Sequence, residues 1–418
     1  MKMRTAAPPS SQPARLSFSI GNNSVPVLVG SQCCGDIVDA LRELHMDRLF
    51  IVADSKPLAL HGESLLAEFS SRGDPPIEIL PSIVALESHK TLNVVGRLLD
   101  EAVRRGATRR SLIVSFGGGL TANLAGMVAG LLFRGIRVAH LPTTLLAASD
   151  GVLSQKQAVN GGGGKNQYGL YVVPSLMGID LNWLRSLPMS EWSAGLVELL
   201  KNALSFDTEL LKTFRDFAEA GSRRPIDPLT DGFAMVCAGI RSKERLASID
   251  PFEVNGGAVL EYGHTIGHVL ECQLGIGHGA AVGLGMRVAA AVSAGRQWLS
   301  AAEVEQHRKL LEMIGTPMNP PRAFAFRELL PLLRCDNKHG RIDCPPGTHP
   351  MVLLRRLGSP ARTGSIPLVP VLEAEIQNAL RSLGWLDGHS YRSRIAPRLA
   401  TGVPSLERAR GDIADRKQ

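Results

Sequence analysis

Four side chains that could bind a metal ion, and a lysine that could pair with one of them, are spaced so that they could share a site. His264 and His268 are four residues apart in a predicted helix, which places both rings on one face, and His278 follows soon after. Glu198 and Lys201 share a face of an apolar helical segment, where a carboxylate needs a partner stronger than water. A carboxylate with up to three histidines is typical of catalytic zinc-type sites, in which three protein ligands leave one position open. We therefore predict a metal centre, with structural histidines and a surface salt bridge as the alternative.

A glycine run at residues 117–119 follows an apolar stretch at 111–114 and opens a helix-like segment. Three glycines leave no Cβ atoms in the way of a ligand, and the first N–H groups of a helix are free to bind an anion. The pattern predicts a cradle for a pyrophosphate. A tight strand-to-helix turn without a ligand is the alternative.

The polar segment from residue 150 to 166 has the composition of a loop that binds a ligand. Two lysines, an aspartate and two asparagines stand there with a run of four glycines at 161–164. Next to a phosphate cradle, these groups favour ligand binding over ordinary solvated surface. The side chains concerned are Asp150, Lys156, Asn160, Lys165 and Asn166.

Strands and helices alternate around the glycine run. Short apolar stretches predict the strands, and amphipathic or small-residue stretches predict the helices. Their alternation predicts a doubly wound parallel sheet, in which ligands gather beyond the carboxyl ends of the strands. The glycines would lie there together with Asp54, Thr143 and Thr144. Asp54 would either cap a helix or contact a ribose. The predicted strands are 48–54, 77–80, 111–116 and 138–141, and the predicted helices are 63–71, 90–105 and 121–133.

After residue 187 the pattern changes to long helical stretches, predicted at 190–204, 228–248, 280–299 and 301–314. The sequence thus predicts an α/β domain at 16–187 and a mainly helical domain for metal and substrate at 188–389. Residues 1–15 and 390–418 are rich in Pro, Ser, Ala and Arg without periodicity, so we expect flexible tails there.

The charge distribution argues against a nucleic-acid partner. The formal net charge of +7 resides in the tails, with +3 before residue 16 and +4 beyond residue 391, and aromatic residues make up only 5% of the chain. Six cysteines without C-x-x-C spacing predict reduced thiols. The sequence shows neither an apolar stretch of membrane-spanning length nor a signal-peptide core, so we expect a cytoplasmic protein with no membrane partner.

Six motifs together resemble the dehydroquinate synthase superfamily of sugar phosphate cyclases. They occur at residues 117–121, 133–135, 141–144, 165–166, 195–198 and 263–268, and the resemblance extends from about residue 48 to about residue 360. It implies an N-terminal NAD-binding sheet, a C-terminal helical metal domain and an active site in the cleft between them. The stretches 148–160, 198–204, 260–264 and 336–338 are most similar to the 2-deoxy-scyllo-inosose synthase branch, which acts on glucose 6-phosphate in aminoglycoside pathways.

Two departures from the dehydroquinate synthases concern the substrate. Gly257 stands where those enzymes carry an arginine for a substrate carboxylate, so a carboxylate would lose its bidentate donor here. Glucose 6-phosphate has no carboxylate to bind. Glu261 stands where the family usually has Asn, and it could act as a base or hold a lysine.

The resemblance implies a role for each matching residue. Metal ligation falls to Glu198, His264 and His278, and His268 would face the substrate. The catalytic residues would be Lys156, Lys201, Glu261 and His268, and substrate contacts would come from Asn166, Lys243, Lys338 and, across a homodimer interface, Arg134. NAD contacts would come from Asp54, Glu87, Lys90, Gly118, Gly119, Asn123, Thr143, Thr144, Asp150 and Lys165. Ala122 and Asn123 stand where the family has glycine and aspartate.

The reaction that the resemblance implies leaves NAD unchanged overall. With Co²⁺ or Zn²⁺ as Lewis acid, the C4 hydroxyl would be oxidised, phosphate eliminated, the hydride returned and the ring closed by an intramolecular aldol step. Lys156 would relay the proton in the oxidation. The alternatives are 3-dehydroquinate synthase or another heptulose phosphate cyclase, a glycerol-type NAD-dependent dehydrogenase that releases NADH, and a non-catalytic descendant.

Overall fold

The computed structural model describes residues 12–71, 75–162, 164–219 and 230–387. The predicted C-terminal tail, 390–418, lies outside these ranges, as do residues 1–11 of the N-terminal one. The first strand begins at Ala14, two residues before the predicted start of the α/β domain at residue 16.

The first nine strands, β1 to β9, include seven that form one large sheet. They are β1 (Ala14–Ile20), β2 (Asn23–Gly30), β3 (Leu49–Ala53), β4 (Ile77–Ile79), β5 (Leu112–Gly117), β6 (Arg137–Pro142), β7 (Lys156–Gly161), β8 (Gly164–Tyr171) and β9 (Leu176–Asp180). Within the described ranges the large sheet has the order β1-β2-β9-β6-β5-β3-β4. All neighbouring strands are parallel except β1 and β2. The predicted doubly wound parallel sheet is confirmed, with an antiparallel strand added at one edge.

Helices cover both faces of this sheet. They are α1 (Cys34–Arg42), α2 (Ser55–Ser70), α3 (Leu92–Arg104), α4 (Gly119–Leu131) and α5 (Leu181–Leu184). Leu49 and Ile51 of β3 belong to the core formed with α1 and α2, whereas Phe50 and Val52 belong to the core formed with α3 and α4. Successive side chains of a strand point to opposite faces, so a strand covered on both sides is apolar throughout.

Helix α2 begins at Ser55, eight residues before the predicted start at residue 63. Asp54 is its N-cap and accepts a hydrogen bond from the Lys56 N–H group at 3.2 Å. Pro57 lies in the first turn, where a missing N–H group is tolerated, and Gly62 interrupts the apolar pattern. The other predicted strands and helices of this part agree with the observed ends to within two residues.

A β-hairpin occupies most of the segment that the sequence predicts to be a loop, 150–166. β7 and β8 pair antiparallel over their length, so the loop prediction is wrong. Helix α4 approaches the hairpin closely, because a Cβ atom at Gly126 would lie 2.4 Å from the Gln157 side chain. The π-helical turn Ala147–Gly151, which carries Asp150, precedes the hairpin.

Long helices follow the sheet, as the sequence predicts. They are α6 (Met189–Ser205), α7 (Thr208–Glu219), α8 (Thr230–Ala247), α9 (His264–Leu274), α10 (His278–Gly295), α11 (Ala301–Met313), α12 (Leu330–Arg334) and α13 (Glu373–Ser382). Short strands that were not predicted lie among them: β10 (Thr348–Met351), β11 (Leu354–Arg356), β12 (Ser359–Pro360) and β13 (Val369–Leu372). In the described part of the chain, no helix combines the length and hydropathy needed to span a bilayer.

His264 and His278 are the first residues of α9 and α10, and these two helices pack closely. Gly263 precedes α9 with a φ of +82°, which side chains with a Cβ atom rarely adopt. A Cβ atom at Gly285 would lie 2.0 Å from the Gly263 carbonyl oxygen. The two glycines therefore permit both the turn and the close approach that fix the start of α9.

Candidate active site

Three side chains with metal-binding atoms converge where α6, α9 and α10 meet. Glu198, His264 and His278 each offer one ligand atom, and these atoms lie within 4.8 Å of one another. The Glu198 Oε1 atom is 3.5 Å from the Nε2 atom of His264 and 3.3 Å from that of His278. The structure therefore brings together the three residues that the sequence predicts to be metal ligands.

Both imidazole rings have a partner at Nδ1, which leaves Nε2 directed at the shared centre. The Nδ1 atom of His264 lies 3.3 Å from the Tyr262 carbonyl oxygen, and that of His278 lies 3.1 Å from the Glu271 carboxylate. Acceptors of this kind place the proton on Nδ1 and free Nε2 for a metal.

The Glu198 carboxylate also fits a cation. Its Oε1 atom is buried and has no hydrogen-bond donor among the described residues, while its Oε2 atom accepts a hydrogen bond from Lys201 Nζ at 2.5 Å. Burial raises the pKa of Glu198, but the Lys201 ammonium and His264 outweigh this and hold the pKa well below its ordinary value. An ionised, buried oxygen without a donor is costly. With two imidazole nitrogens it provides the donor set of a catalytic zinc-type site.

His268 lies beside this group on the next turn of α9. Its ring centroid is 5.2 Å from that of His264 and 6.2 Å from that of His278. In the described ranges, the group of converging ligand atoms does not include His268. Burial, His264 and Lys338 lower the pKa of His268 well below its ordinary value, so the ring is neutral.

Two buried lysines extend the cluster toward the sheet. Lys243 Nζ donates to Asp150 Oδ1 at 2.7 Å, and Lys201 Nζ lies 3.7 Å from Asp150 Oδ2. Burial lowers the pKa of Lys243, but Asp150 and Glu253 outweigh this and raise it above its ordinary value. Glu198 and Asp150 do the same for Lys201. Both ammonium groups therefore stay charged although they are buried.

Lys156, the predicted proton relay, forms an ion pair with Glu253. Glu253 is 7% exposed, and its second oxygen lies 3.7 Å from Lys243. The turn that carries it is closed by Asp250, whose carboxylate accepts a hydrogen bond from the Gly257 N–H group at 2.8 Å. Glu253 thus holds Lys156 of strand β7 in the same cluster as Lys243.

Glu261 holds a lysine in this structure. Lys338 Nζ is 3.0 Å from Glu261 Oε2 and 3.1 Å from Asp336 Oδ2, and Lys338 is fully buried. Burial raises the pKa of Glu261, but Lys338 and then His264 outweigh this and hold the pKa well below its ordinary value. The sequence leaves two roles open for Glu261, a base or a residue that holds a lysine, and the contact with Lys338 corresponds to holding a lysine.

The glycine run forms the turn between β5 and α4, at the carboxyl edge of the sheet. Gly118 is the residue before α4, and a Cβ atom there would lie 3.2 Å from the Thr144 side chain. The Thr143 N–H group donates to the Gly117 carbonyl oxygen at 2.9 Å, and Gly119 begins α4. The helix N-terminus and the space without side chains fit an anionic pyrophosphate.

Two predicted NAD contacts, Asp54 and Asn123, have protein partners. Asp54 caps α2 at the carboxyl end of β3. Asn123 donates from Nδ2 to the Gly119 carbonyl oxygen at 2.8 Å, and its Oδ1 atom accepts from the Ala158 N–H group at 2.8 Å. Asn123 therefore connects α4 to strand β7, next to the glycine turn.

The remaining predicted NAD residues meet around the hairpin. Lys90 Nζ donates to Asn166 Oδ1 at 2.5 Å, and Lys165 Nζ lies 3.3 Å from Glu87 Oε1. Asn160 Nδ2 donates to the same Glu87 oxygen at 2.8 Å. Burial lowers the pKa of Lys90 to about 8. Residues of the segment 87–90 and of the hairpin thus form one polar network.

Arg134 is a predicted site residue outside the polar clusters described above. It follows α4 in the short helical turn Leu132–Arg134, is exposed, and forms no ion pair with the described residues. Its predicted place across a homodimer interface stays a prediction.

Two carboxylates of the cluster, Glu253 and Glu271, were not singled out from the sequence. Glu271 is three residues after His268 on α9, so helical spacing could have indicated that it lies on the same face as that histidine. Glu253 had no such local signal, because its partners Lys156 and Lys243 lie far from it along the chain.

Comparisons with known proteins agree with this arrangement. A family model for the 3-dehydroquinate synthase N-terminal domain matches residues 81–194, and one for the C-terminal domain matches residues 195–339. The 2-deoxy-scyllo-inosose synthase of Streptomyces fradiae is 40% identical over 353 residues, which are 83% of this chain and 80% of the relative. That of Streptomyces paromomycinus is 38% identical over 387 residues, 91% and 98% of the two chains.

Solved structures share the fold. A 2-deoxy-scyllo-inosose synthase complexed with carbaglucose-6-phosphate, NAD⁺ and Co²⁺ has a TM-score of 0.78 and 30% identity, and the match covers 88% of this chain and 100% of the other. A 2-epi-5-epi-valiolone synthase from Streptomyces hygroscopicus with NAD⁺ and Zn²⁺ has a TM-score of 0.72 and 24% identity, with 88% and 98% covered, which supports the fold alone. The chain therefore belongs to the dehydroquinate synthase superfamily of sugar phosphate cyclases, as its sequence motifs predict.

Proposed function

We propose that this protein converts glucose 6-phosphate to 2-deoxy-scyllo-inosose and inorganic phosphate, a carbon–oxygen lyase reaction of aminoglycoside biosynthesis. The relatives with this name align with most of the chain, and one solved relative is complexed with carbaglucose-6-phosphate. The intact cluster of metal-type ligands and buried lysines supports a catalyst over a non-catalytic descendant.

The observation that carries the choice of substrate is the surroundings of Gly257. A Cβ atom there would lie 3.0 Å from Asp250 Oδ2 and 3.0 Å from the Cβ and Cγ atoms of Glu253. The position at which the resemblance implies an arginine thus lies against the Asp250 carboxylate and the methylene groups of Glu253. A substrate carboxylate would meet a carboxylate there in place of a cationic donor, so a sugar phosphate without a carboxylate, such as glucose 6-phosphate, fits better than a heptulosonate phosphate.

The residues present fit a divalent metal ion and NAD. Glu198, His264 and His278 would hold Co²⁺ or Zn²⁺, and the glycine turn with Thr143 and Thr144 would hold the pyrophosphate. When bound, the metal polarises a sugar hydroxyl, and NAD⁺ accepts a hydride and returns it.

The residues of the chain itself would bind the sugar and move protons. Lys156 would relay the proton of the hydroxyl that is oxidised, accepting it while passing its own proton to its partner Glu253, and neutral His268 offers a second acceptor close to the metal ligands. Buried Lys201 and Lys243 would donate charge-assisted hydrogen bonds to the phosphate dianion. Lys338, Glu261 and Asn166 complete the proposed site.

Four further expectations stay predictions. They are a homodimer in which Arg134 reaches the partner's site, a domain boundary near residue 187, a cytoplasmic location and the direct NAD contacts.

The proposed activity is tested by incubating the purified protein with glucose 6-phosphate, NAD⁺ and Co²⁺. We expect a six-carbon carbocyclic ketone and free phosphate in equal amounts, without accumulation of NADH. A heptulose phosphate and glycerol serve as competing substrates. Accumulation of NADH, or turnover of the heptulose phosphate alone, would overturn the proposal.

A further inference from the structure

His278, one of the three proposed metal ligands, is connected to the β7–β8 hairpin by polar contacts through Glu271 and Lys165. Its Nδ1 atom lies 3.1 Å from Glu271 Oε2, and the other oxygen of Glu271 forms an ion pair with Lys165. Glu271 and Lys165 have side chains that are only 12% and 15% exposed, so solvent does little to weaken their attraction.

The Glu271 carboxylate has a partner on each oxygen, the imidazole of His278 on one and the ammonium of Lys165 on the other. An ionised carboxylate accepts the Nδ1–H group of an imidazole strongly, which fixes the tautomer and the orientation of the ring. The Lys165 ammonium is closer to Glu271 than to Glu87, whose Oε1 atom lies 3.3 Å away, so Glu271 is its main partner.

We propose that Glu271 is a positioning residue that directs His278 Nε2 at the metal, and that Lys165 acts on metal affinity through Glu271 without touching the metal. The inference rests on the metal site of the proposed function. It makes metal binding sensitive to a residue of the β7–β8 hairpin, the segment on which the predicted NAD and substrate contacts Lys165 and Asn166 stand.

The test is metal affinity in the full-length protein, without substrate or NAD. Protein stripped of metal is titrated with Co²⁺ against a competing chelator, and the visible absorption of bound Co²⁺ reports its coordination. Changing a partner of a metal-bound histidine typically costs roughly 10- to 100-fold in affinity. We expect such a loss for Glu271→Ala, a smaller loss for Glu271→Gln, which keeps an acceptor oxygen, and a loss for Lys165→Met.

Glu87→Gln is the matched control, because it removes the second carboxylate that pairs with Lys165 but leaves the contacts of Glu271 intact. We expect unchanged affinity and an unchanged Co²⁺ spectrum for it. Circular dichroism shows which variants fold, and Glu271→Gln, nearly isosteric with the native residue, keeps the test decisive if Glu271→Ala does not fold.

Wild-type affinity in a folded Glu271→Ala protein, or in both Glu271→Gln and Lys165→Met, would overturn the inference. An equal loss in Glu87→Gln and Lys165→Met would also do so, because these substitutions change the local charge in opposite senses, and equal losses would show a general disturbance of the hairpin instead of an effect through Glu271. Glu198→Ala separates this inference from the proposed function. If that variant binds Co²⁺ like the wild type, the metal site itself is wrong, whereas loss of binding there with none at Glu271 refutes only the positioning role.

Discussion

Lys243 of helix α8 donates a hydrogen bond to the Asp150 carboxylate, which lies on the π-helical turn between β6 and β7, at 2.7 Å. The contact joins the helical part of the chain to the carboxyl edge of the sheet. The Lys243 and Asp150 side chains are 8% and 12% exposed, so each buried charge needs the opposite charge to offset its loss of hydration. A predicted substrate residue and a predicted NAD residue are thereby held at a fixed separation.

Lys243→Met is expected to destabilise the protein. It leaves the buried Asp150 carboxylate with only Lys201, at 3.7 Å, and breaking a buried pair typically costs about 3–5 kcal/mol. Urea unfolding measures the loss. Lys212→Met is the control, since the Lys212–Glu209 pair is exposed and should matter little. Equal effects of the two substitutions would contradict the buried role of Lys243.

Glu198→Gln should abolish metal binding and turnover together. The amide keeps the shape of the side chain but removes the charge that a divalent cation needs. Metal content after dialysis and product formation are the two measurements. Glu191→Gln, on an exposed position of the same helix, should change neither. If the Glu198 variant retained metal and activity, the assigned site would be refuted.

Gly257→Arg should impair the enzyme without changing its substrate. The arginine would pair with Glu253 and draw it away from Lys156, so we expect kcat/KM for glucose 6-phosphate to fall about tenfold or more. Gly257→Ala adds only a methyl group and should cost less. A gain of heptulosonate phosphate turnover in the arginine variant would contradict the role given to Glu253.

NAD⁺ affinity should fall as the pH rises through about 8, if Lys90 contacts the cofactor. Burial lowers the pKa of Lys90 to about 8, below its ordinary value of 10.5, so the ammonium is present below that pH and lost above it. One hydrogen bond to a charged group is worth about 1.5 kcal/mol, or roughly a tenfold rise in Kd. Calorimetric titrations on both sides of this pH measure it. Lys90→Met should bind weakly at each pH with no such step.

The central strands could be predicted because β3 and β5, buried at every position, are nearly continuous apolar runs between polar turns. The β7–β8 hairpin could not, since β8 is largely exposed and has neither an apolar run nor alternation of apolar and polar residues. Its strand character comes from pairing with β7, and β7 packs on α4 at glycine positions. These are contacts between segments that a local pattern does not record.

Spacing alone was also an incomplete guide to the ligand set. It favoured His264 with His268, whereas the structure brings His278 into the group with Glu198. The reason is the close packing of α9 on α10 at Gly263 and Gly285, which sets the starts of both helices side by side. The family motifs predicted the three residues because proteins with these motifs share the fold in which the two helices pack together.

The cluster of lysines and carboxylates has a consequence for the order in which ligands bind. Within the described residues it contains the lysines Lys90, Lys156, Lys165, Lys201, Lys243 and Lys338 and the carboxylates of Glu87, Asp150, Glu198, Glu253, Glu261, Glu271 and Asp336. The seven carboxylates exceed the six lysines by one. Burial lowers the pKa of His278, but Glu198 and Glu271 outweigh this and raise it to about 9, so a protonated His278 balances the charges when no metal is bound. A divalent cation that replaces the proton of His278 would make this cluster positive, so we expect a phosphate dianion to be attracted more strongly once the metal has entered, and electroneutrality then favours a metal-first order.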